Sequence, residues 1–498
     1  MRKLSYFLVV IMIFSATGVF ASGLAIPEQG AAAMGMSAAM TARSQDLSSI
    51  FYNPAGLDYV DGFELMLGIT PIMPSHDYSP FNYTPYNNKA YGFSKQDSES
   101  NTFLPPQIYA AYRATDTIVL GLGVNAPFGL GTEWNKEWDG RYASTFAEIQ
   151  AVYITPTISY QASDMVTVGA GISYVTSTAT IEKMIDTGSA LYGAAAAHPT
   201  LGALSPALAG MMHNTDNDSE FSLEGDGTGI GYNLGVIIRP IENYQFGISY
   251  RGAMDIEYDG TAKFTHQNAN NTAAMTAALN EALVANGMDA ATAAATAAGS
   301  AAALDAGVSA SMPASQTGTA TLSLPWQLNL GMLKQINEVW DVSAEVNIVG
   351  WEVYEELTID FDDDLPYDKS TMEKNWENSY VYRLGTSYQV NERLTARGGL
   401  MYDFNPVPNL TFDGQLPDSD RYSVSIGAGY KLGVLQLDCS YLLLKFLERE
   451  KMNGVGYGVD TTGNGIIDRF DVPDGYPVAN GKYSGMAHLL SVSLSYNF

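Results

Sequence analysis

A single cysteine, Cys439, occurs in 498 residues, so no internal disulfide can form. It lies in an alternating stretch and reads as a small apolar side chain, not a nucleophile. Basic residues are scarce: 25 Lys and Arg against 53 Asp and Glu leave a formal charge of −28. That balance excludes a phosphate-binding surface, and with it a nucleic-acid partner. After the N-terminal twenty or so residues, no uncharged apolar run is long enough for a membrane helix. The five histidines (His76, His198, His213, His266, His488) have no Ser or metal partner at a recognisable spacing, and no nucleophile elbow is present. Nothing here marks an enzyme, although a triad is defined in space.

What the chain has begins at its N-terminus. Arg2 and Lys3 precede an apolar run from Leu4 to Phe20, closed by Val19-Phe20-Ala21, the layout of a secretory signal peptide. Residues 1–21 are therefore expected to be removed, leaving Ser22 first. Losing Arg2 and Lys3 moves the charge from −28 to −30. An exported chain with 31 Tyr, 48 Gly and a mean hydropathy of −0.03 fits a transmembrane β-barrel, whose alternating strands average to near-zero hydropathy.

Period-two alternation bears this out along the sequence. Leu490, Val492, Leu494, Tyr496 and Phe498 interleave with Ser491, Ser493, Ser495 and Asn497, one greasy row and one polar. Segments of spanning length fall near 62–73, 105–114, 118–127, 149–161, 165–180, 226–239, 243–257, 319–333, 338–354, 377–390, 394–405, 421–431, 434–449 and 484–498. Fourteen is even, and short turns alternate with long loops, as in bacterial outer-membrane barrels. The expected fold is all-β: a 14-stranded antiparallel transmembrane β-barrel over residues 60–498, sited in the bacterial outer membrane. Its terminal Phe498 is the expected handle for the barrel assembly machinery.

Three stretches do not alternate. Residues 269–312, and 191–212 more briefly, are Ala-rich with high helix propensity and are read as helix-bearing extracellular loops. Residues 22–59 are small and irregular, with a turn at Asn53-Pro54-Ala55-Gly56. Fourteen strands enclose a lumen too wide for their own side chains to fill, so this segment is expected as an N-terminal hatch, or plug. Finally, Asp460, Thr462, Asn464, Gly465, Ile466, Asp468 and Asp471 stand at the spacing of an EF-hand-like loop. They make a candidate site for structural calcium, weakened by Thr462 and by Asp471 in place of Glu. No other cofactor is expected.

With these residues in view, the chain resembles the FadL/TodX family of outer-membrane transporters nearly end to end. Ser22-Gly23-Leu24 to Glu28-Gln29-Gly30 is similar to the family's mature N-terminus, and Ile50-Phe51-Tyr52-Asn53-Pro54-Ala55-Gly56-Leu57 to its hatch motif. Pro127 to Trp134, Leu324-Pro325-Trp326, Asn405-Pro406-Val407-Pro408 and Leu416 to Tyr422 match further stretches in the same order. The resemblance implies ligand passage through a kink in the third strand that opens the wall sideways. Pro127, Phe128 and Gly129 supply a cause, since Pro127 cannot donate to the ladder and Gly129 tolerates non-β backbone angles. It also implies that Leu24 reaches the ligand pocket and that Lys183, just after the fifth strand, serves a ligand carboxylate. A second basic residue expected after Trp351 is missing: Glu352, Glu355, Glu356, Leu357 and Thr358 follow instead.

The function these features support first is uptake of hydrophobic compounds, long-chain fatty acids foremost, with release into outer-membrane lipid. Returning each buried CH₂ to water costs about 0.8 kcal/mol, which favours a sideways exit over a wet pore. A channel for uncharged aromatic hydrocarbons and a barrel enzyme are the alternatives.

Overall fold

The computed structural model describes residues 23–81, 94–312, 314–362, 369–455 and 478–498. Residues 1–21, read from the sequence as an export signal, and the acidic 460–471 motif lie outside them. The first seven wall strands are β1 (Phe63–Ile69, resumed as Ile72–Pro80), β2 (Pro106–Arg113), β3 (Ile118–Glu133), β4 (Phe146–Gln161), β5 (Val166–Ile185), β6 (Ser219–Ile241) and β7 (Tyr244–Arg251, resumed as Met254–Thr265). The others are β8 (Ser315–Leu324, resumed as Trp326–Asn337), β9 (Trp340–Gly350), β10 (Ser379–Gln389), β11 (Leu394–Asp403), β12 (Arg421–Leu432), β13 (Leu435–Lys451) and β14 (Gly481–Asn497). Each is antiparallel to its neighbours, and β1 pairs with β14 from Glu64 opposite Asn497 to Ile69 opposite Val492, closing a fourteen-strand ring.

The alternation sorts inside out. On β14, Ser491, Ser493 and Ser495 are buried, whereas Leu490, Val492 and Leu494 are exposed on the outer surface. Ile426 on β12 is 63% exposed, a position no water-facing sheet would give it. An apolar outer face with every backbone group paired in a closed ring is the solution lipid requires. Tyr422 and Tyr430 bracket Ile426 on the same face. Eight residues at about 3.4 Å each, tilted by roughly 40°, span about 20 Å, close to the apolar band of outer-membrane barrels. Several strands outrun the membrane: β5 ends at Ile185 and β6 starts at Ser219, later and earlier than alternation alone placed them, because their ladder continues above the bilayer.

Above the wall, helices α3 (Thr187–Ala197), α4 (Asn268–Ala285) and α5 (Ala290–Ala310) pack into one apolar cluster. Ala293, Ala297 and Ala301 recur every fourth residue on the buried face of α5, so their small side chains allow close approach. Gly287, at φ 88°, makes the turn between α4 and α5.

Residues 23–60 lie inside the ring, with short helices α1 (Ala31–Met34) and α2 (Ser49–Tyr52) and a 3₁₀ turn at Pro54–Tyr59. Asn53 is fully buried: its Nδ2 donates to the Thr41 carbonyl (2.7 Å) and the Val236 carbonyl of β6 (3.2 Å), and its Oδ1 accepts the Ala55 N–H. That side chain caps the 3₁₀ turn, with Pro54 preset at its first position. Buried Arg43 pairs with Asp341 on β9 at 2.6 Å, and Arg239 on β6 with Asp58 at 2.7 Å. The wall makes room by omitting side chains. A Cβ on Gly235 would stand 2.0 Å from Asn53 Oδ1, and one on Gly247 would stand 2.0 Å from the Thr41 carbonyl.

Candidate functional site at the third strand

The ladder between β2 and β3 runs from Arg113 opposite Val119 to Gln107 opposite Asn125, and stops there. On its other side β3 continues along β4, but the register jumps from Asn125 opposite Tyr153 to Phe128 opposite Ala151. Ala126 and Pro127 thus face one residue of β4, a bulge at the position where Pro127 lacks an N–H. β3 does not end at Pro127, as the sequence suggested, but runs to Glu133.

Chain from the N-terminus satisfies the bulge's free backbone groups. Ile26 N–H donates to the Pro127 carbonyl (2.8 Å), and Gly129 N–H donates to the Leu24 carbonyl (3.1 Å), with Ala25 opposite Phe128. Gln29 Nε2 donates to the Ala126 carbonyl at 3.0 Å and holds Ile26 at 2.8 Å. On the β2 side, Phe103 bridges back to Ile72 by two 2.9 Å backbone bonds. Its ring lies where a Cβ of Gly131 would be, 1.8 Å from Cζ. That ring therefore packs directly against β3 beside the break.

A cavity of about 650 Å³ lies against this break, within the roughly 300–1,000 Å³ usual for small-molecule sites. Ile26, Ile72, Phe103, Phe128, Leu444 and Leu489 give it an apolar lining. Its charges are unequal: Glu28, Glu133, Glu148 and Asp418 face one guanidinium, Arg421, already paired with Asp403 at 2.9 Å. Burial raises the Glu28 carboxyl above its usual value, against the pull of Arg383 and Arg421.

The anticipated ligand residues separate. Leu24 is buried in an aromatic cluster with Phe128, Trp351 and Trp376, and Gly23 beside it has no room for a Cβ against the Trp376 ring. Lys183 is not in the cavity lining: it stands opposite Phe221 on β6, its Nζ 5.6 Å from that ring's centroid. Farther along the connection that follows Trp351 stands another cation. Lys374 is buried near Tyr354, its Nζ 3.1 Å from Gln415 Oε1 and 3.6 Å from Asp413 Oδ2. Burial alone would lower its pKa, but the Asp413 carboxylate and Tyr354 together outweigh it and leave the amine above its usual value. Among the described residues, no group of three or more His, Cys, Asp or Glu stands ready to hold a metal.

A family model described as outer membrane protein transport protein (OMPP1/FadL/TodX) matches residues 12–498. The chain belongs to the FadL/TodX family. It is 22% identical to the long-chain fatty acid transport protein of Escherichia coli K12 over 391 residues, 78% of this chain and 79% of that one. An outer membrane protein of Neisseria meningitidis serogroup B is 24% identical over 97% of this chain and 96% of its own length. Among solved structures, a Pseudomonas aeruginosa FadL homologue superposes with a TM-score of 0.71 at 18% identity, covering 96% of this chain and all of the other. The Pseudomonas putida toluene transporter TodX gives 0.61 at 18% identity, over 97% and 100%. At that identity the structural likeness shows the shared fold, and the family places the protein in the outer membrane.

Proposed function

We propose that this FadL/TodX-family barrel takes up hydrophobic compounds and releases them sideways into the outer membrane through the break between β2 and β3, with residues 23–60 as the hatch that closes the lumen. One observation carries the reading: the β2–β3 ladder stops at Asn125 where an apolar cavity reaches the wall. Sideways release keeps an apolar chain out of water, worth about 0.8 kcal/mol per CH₂. Long-chain fatty acids are the first substrate class, supported by the named activity of the Escherichia coli relative. Uncharged aromatic compounds are the second reading, supported by the lining charges: four carboxylates beside one paired arginine would repel a ligand carboxylate lodged there.

Pro127→Thr with Gly129→Val tests the exit. The valine would press on Ile26 Cδ1 and the Ile149 carbonyl, 3.0 and 3.2 Å from the new Cβ, and the threonine restores a ladder donor. In cells lacking other such channels, the folded double mutant should lose uptake of radiolabelled palmitate and of toluene. Undiminished uptake of both would rule out sideways release at this point.

A further inference from the structure

A second, smaller cavity of about 40 Å³ lies inside the barrel against the bulge, sharing Ala25 and Ile26 with the larger one and reaching Pro127. Two guanidiniums line it, Arg251 of β7 and Arg383 of β10. Among the described residues neither makes an ion pair, whereas the buried Arg43, Arg141 and Arg421 and the half-buried Arg397 each lie within 3 Å of an aspartate. Arg251 stacks over the Phe51 ring at 4.2 Å and donates from Nη2 to the Phe51 carbonyl at 3.0 Å. Its Nη1 is buried with no hydrogen-bond partner. Arg383 donates to Asn347 Oδ1 and the Ser37 carbonyl. The one carboxylate in the lining, Glu345, is already engaged by the Thr41 N–H and Asn347 Nδ2, both at 2.8 Å.

We propose that Arg251, with Arg383, forms a carboxylate-binding subsite in this cavity. If Arg251 served only to pin Phe51, one N–H and the guanidinium face would suffice, and Nη1 would be an orphaned buried donor, which is costly. A carboxylate supplies the missing acceptor, and the guanidinium fork matches its geometry. The volume holds roughly three water-sized groups, the number of heavy atoms in a carboxylate. The subsite rests on the channel reading and deepens it: the acidic outer cavity would take the apolar chain, and the charged head would lie on the inner side of residues 25–26.

The test is calorimetric binding to the full chain, folded in a non-ionic detergent, using palmitate, methyl palmitate and acetate. Palmitate should bind about tenfold or more tighter than its ester, as expected for a hydrogen bond to a charged group. Arg251→Met should abolish that advantage and leave the ester unchanged, and Arg383→Met should reduce it. Should Arg251→Met fail to fold, the wild-type comparison and Arg383→Met still decide. Displacement of palmitate by millimolar acetate would support the subsite and assign it to free anions as well as ligand heads. Equal binding of acid and ester by the wild type, or an undiminished acid preference in Arg251→Met, overturns the subsite while leaving the channel standing. Failure of both acid and ester to bind overturns the two together.

Discussion

Asp418 ties the first described residue to the outer loops. Its Oδ2 accepts the Gly23 N–H at 3.2 Å and its Oδ1 the Ser419 N–H at 3.0 Å, and burial pushes the carboxyl up to about 6, against the pull of Arg421. A raised carboxyl favours the protonated native state, so the stability it contributes is complete below its ordinary 3.8 and is lost as pH rises through about 6. Asp418→Asn removes that titration. The difference in melting temperature between variant and wild type should therefore change between about pH 4 and 6 and level off above. A difference that stays constant across that window would mean that Asp418 does not titrate as its burial demands. Leu24 and Asn53 were readable from the sequence as residues of note because they sit in recognisable motifs. Arg251, Phe103 and Lys374 were not, because what distinguishes them is a neighbour far away in the chain.

At the scale of elements, β3 and the N-terminal segment complete each other. A strand with a proline in its ladder was expected to kink; past the kink it continues to Glu133, with Leu24 and Ile26 supplying the partners that β2 no longer offers. The wall glycines are the other half of that fit. Gly235→Val and Gly247→Val each place a side chain where Asn53 or the Thr41 carbonyl now lies. Overpacking of this kind costs about 1–3 kcal/mol, and expelling the segment is the easier relief, since the closed ladder cannot move. Both variants should fold, show faster protease cleavage within residues 23–60, and conduct more ions in planar bilayers. Wild-type conductance in both would argue that the segment does not obstruct the lumen.

For the molecule as a whole, the inverted surface sets the energetics. Ile426 lies midway between Tyr422 and Tyr430 on the outer face of β12 and is 63% exposed. A charge there enters the lipid midplane, so Ile426→Arg should cost roughly 2–4 kcal/mol in a folding titration from urea into lipid vesicles. The same substitution at Leu432, beyond the tyrosine at the strand's end, should cost about 0–1 kcal/mol. Equal costs would place the bilayer elsewhere on the barrel.

Alternation, strand number and the family were all legible along the chain, because the pleat gives every strand a period of two and lipid rewards one face of it. Those are local properties, present before any two distant residues meet. The break beside β3, the sharing of its backbone bonds with residues 24–26 and the unpaired Arg251 are not local. They exist only once the ring has closed and brought together groups as remote as Gly23 and Asp418, 395 residues apart. Period fixes which way a side chain points, and closure alone decides what it meets there.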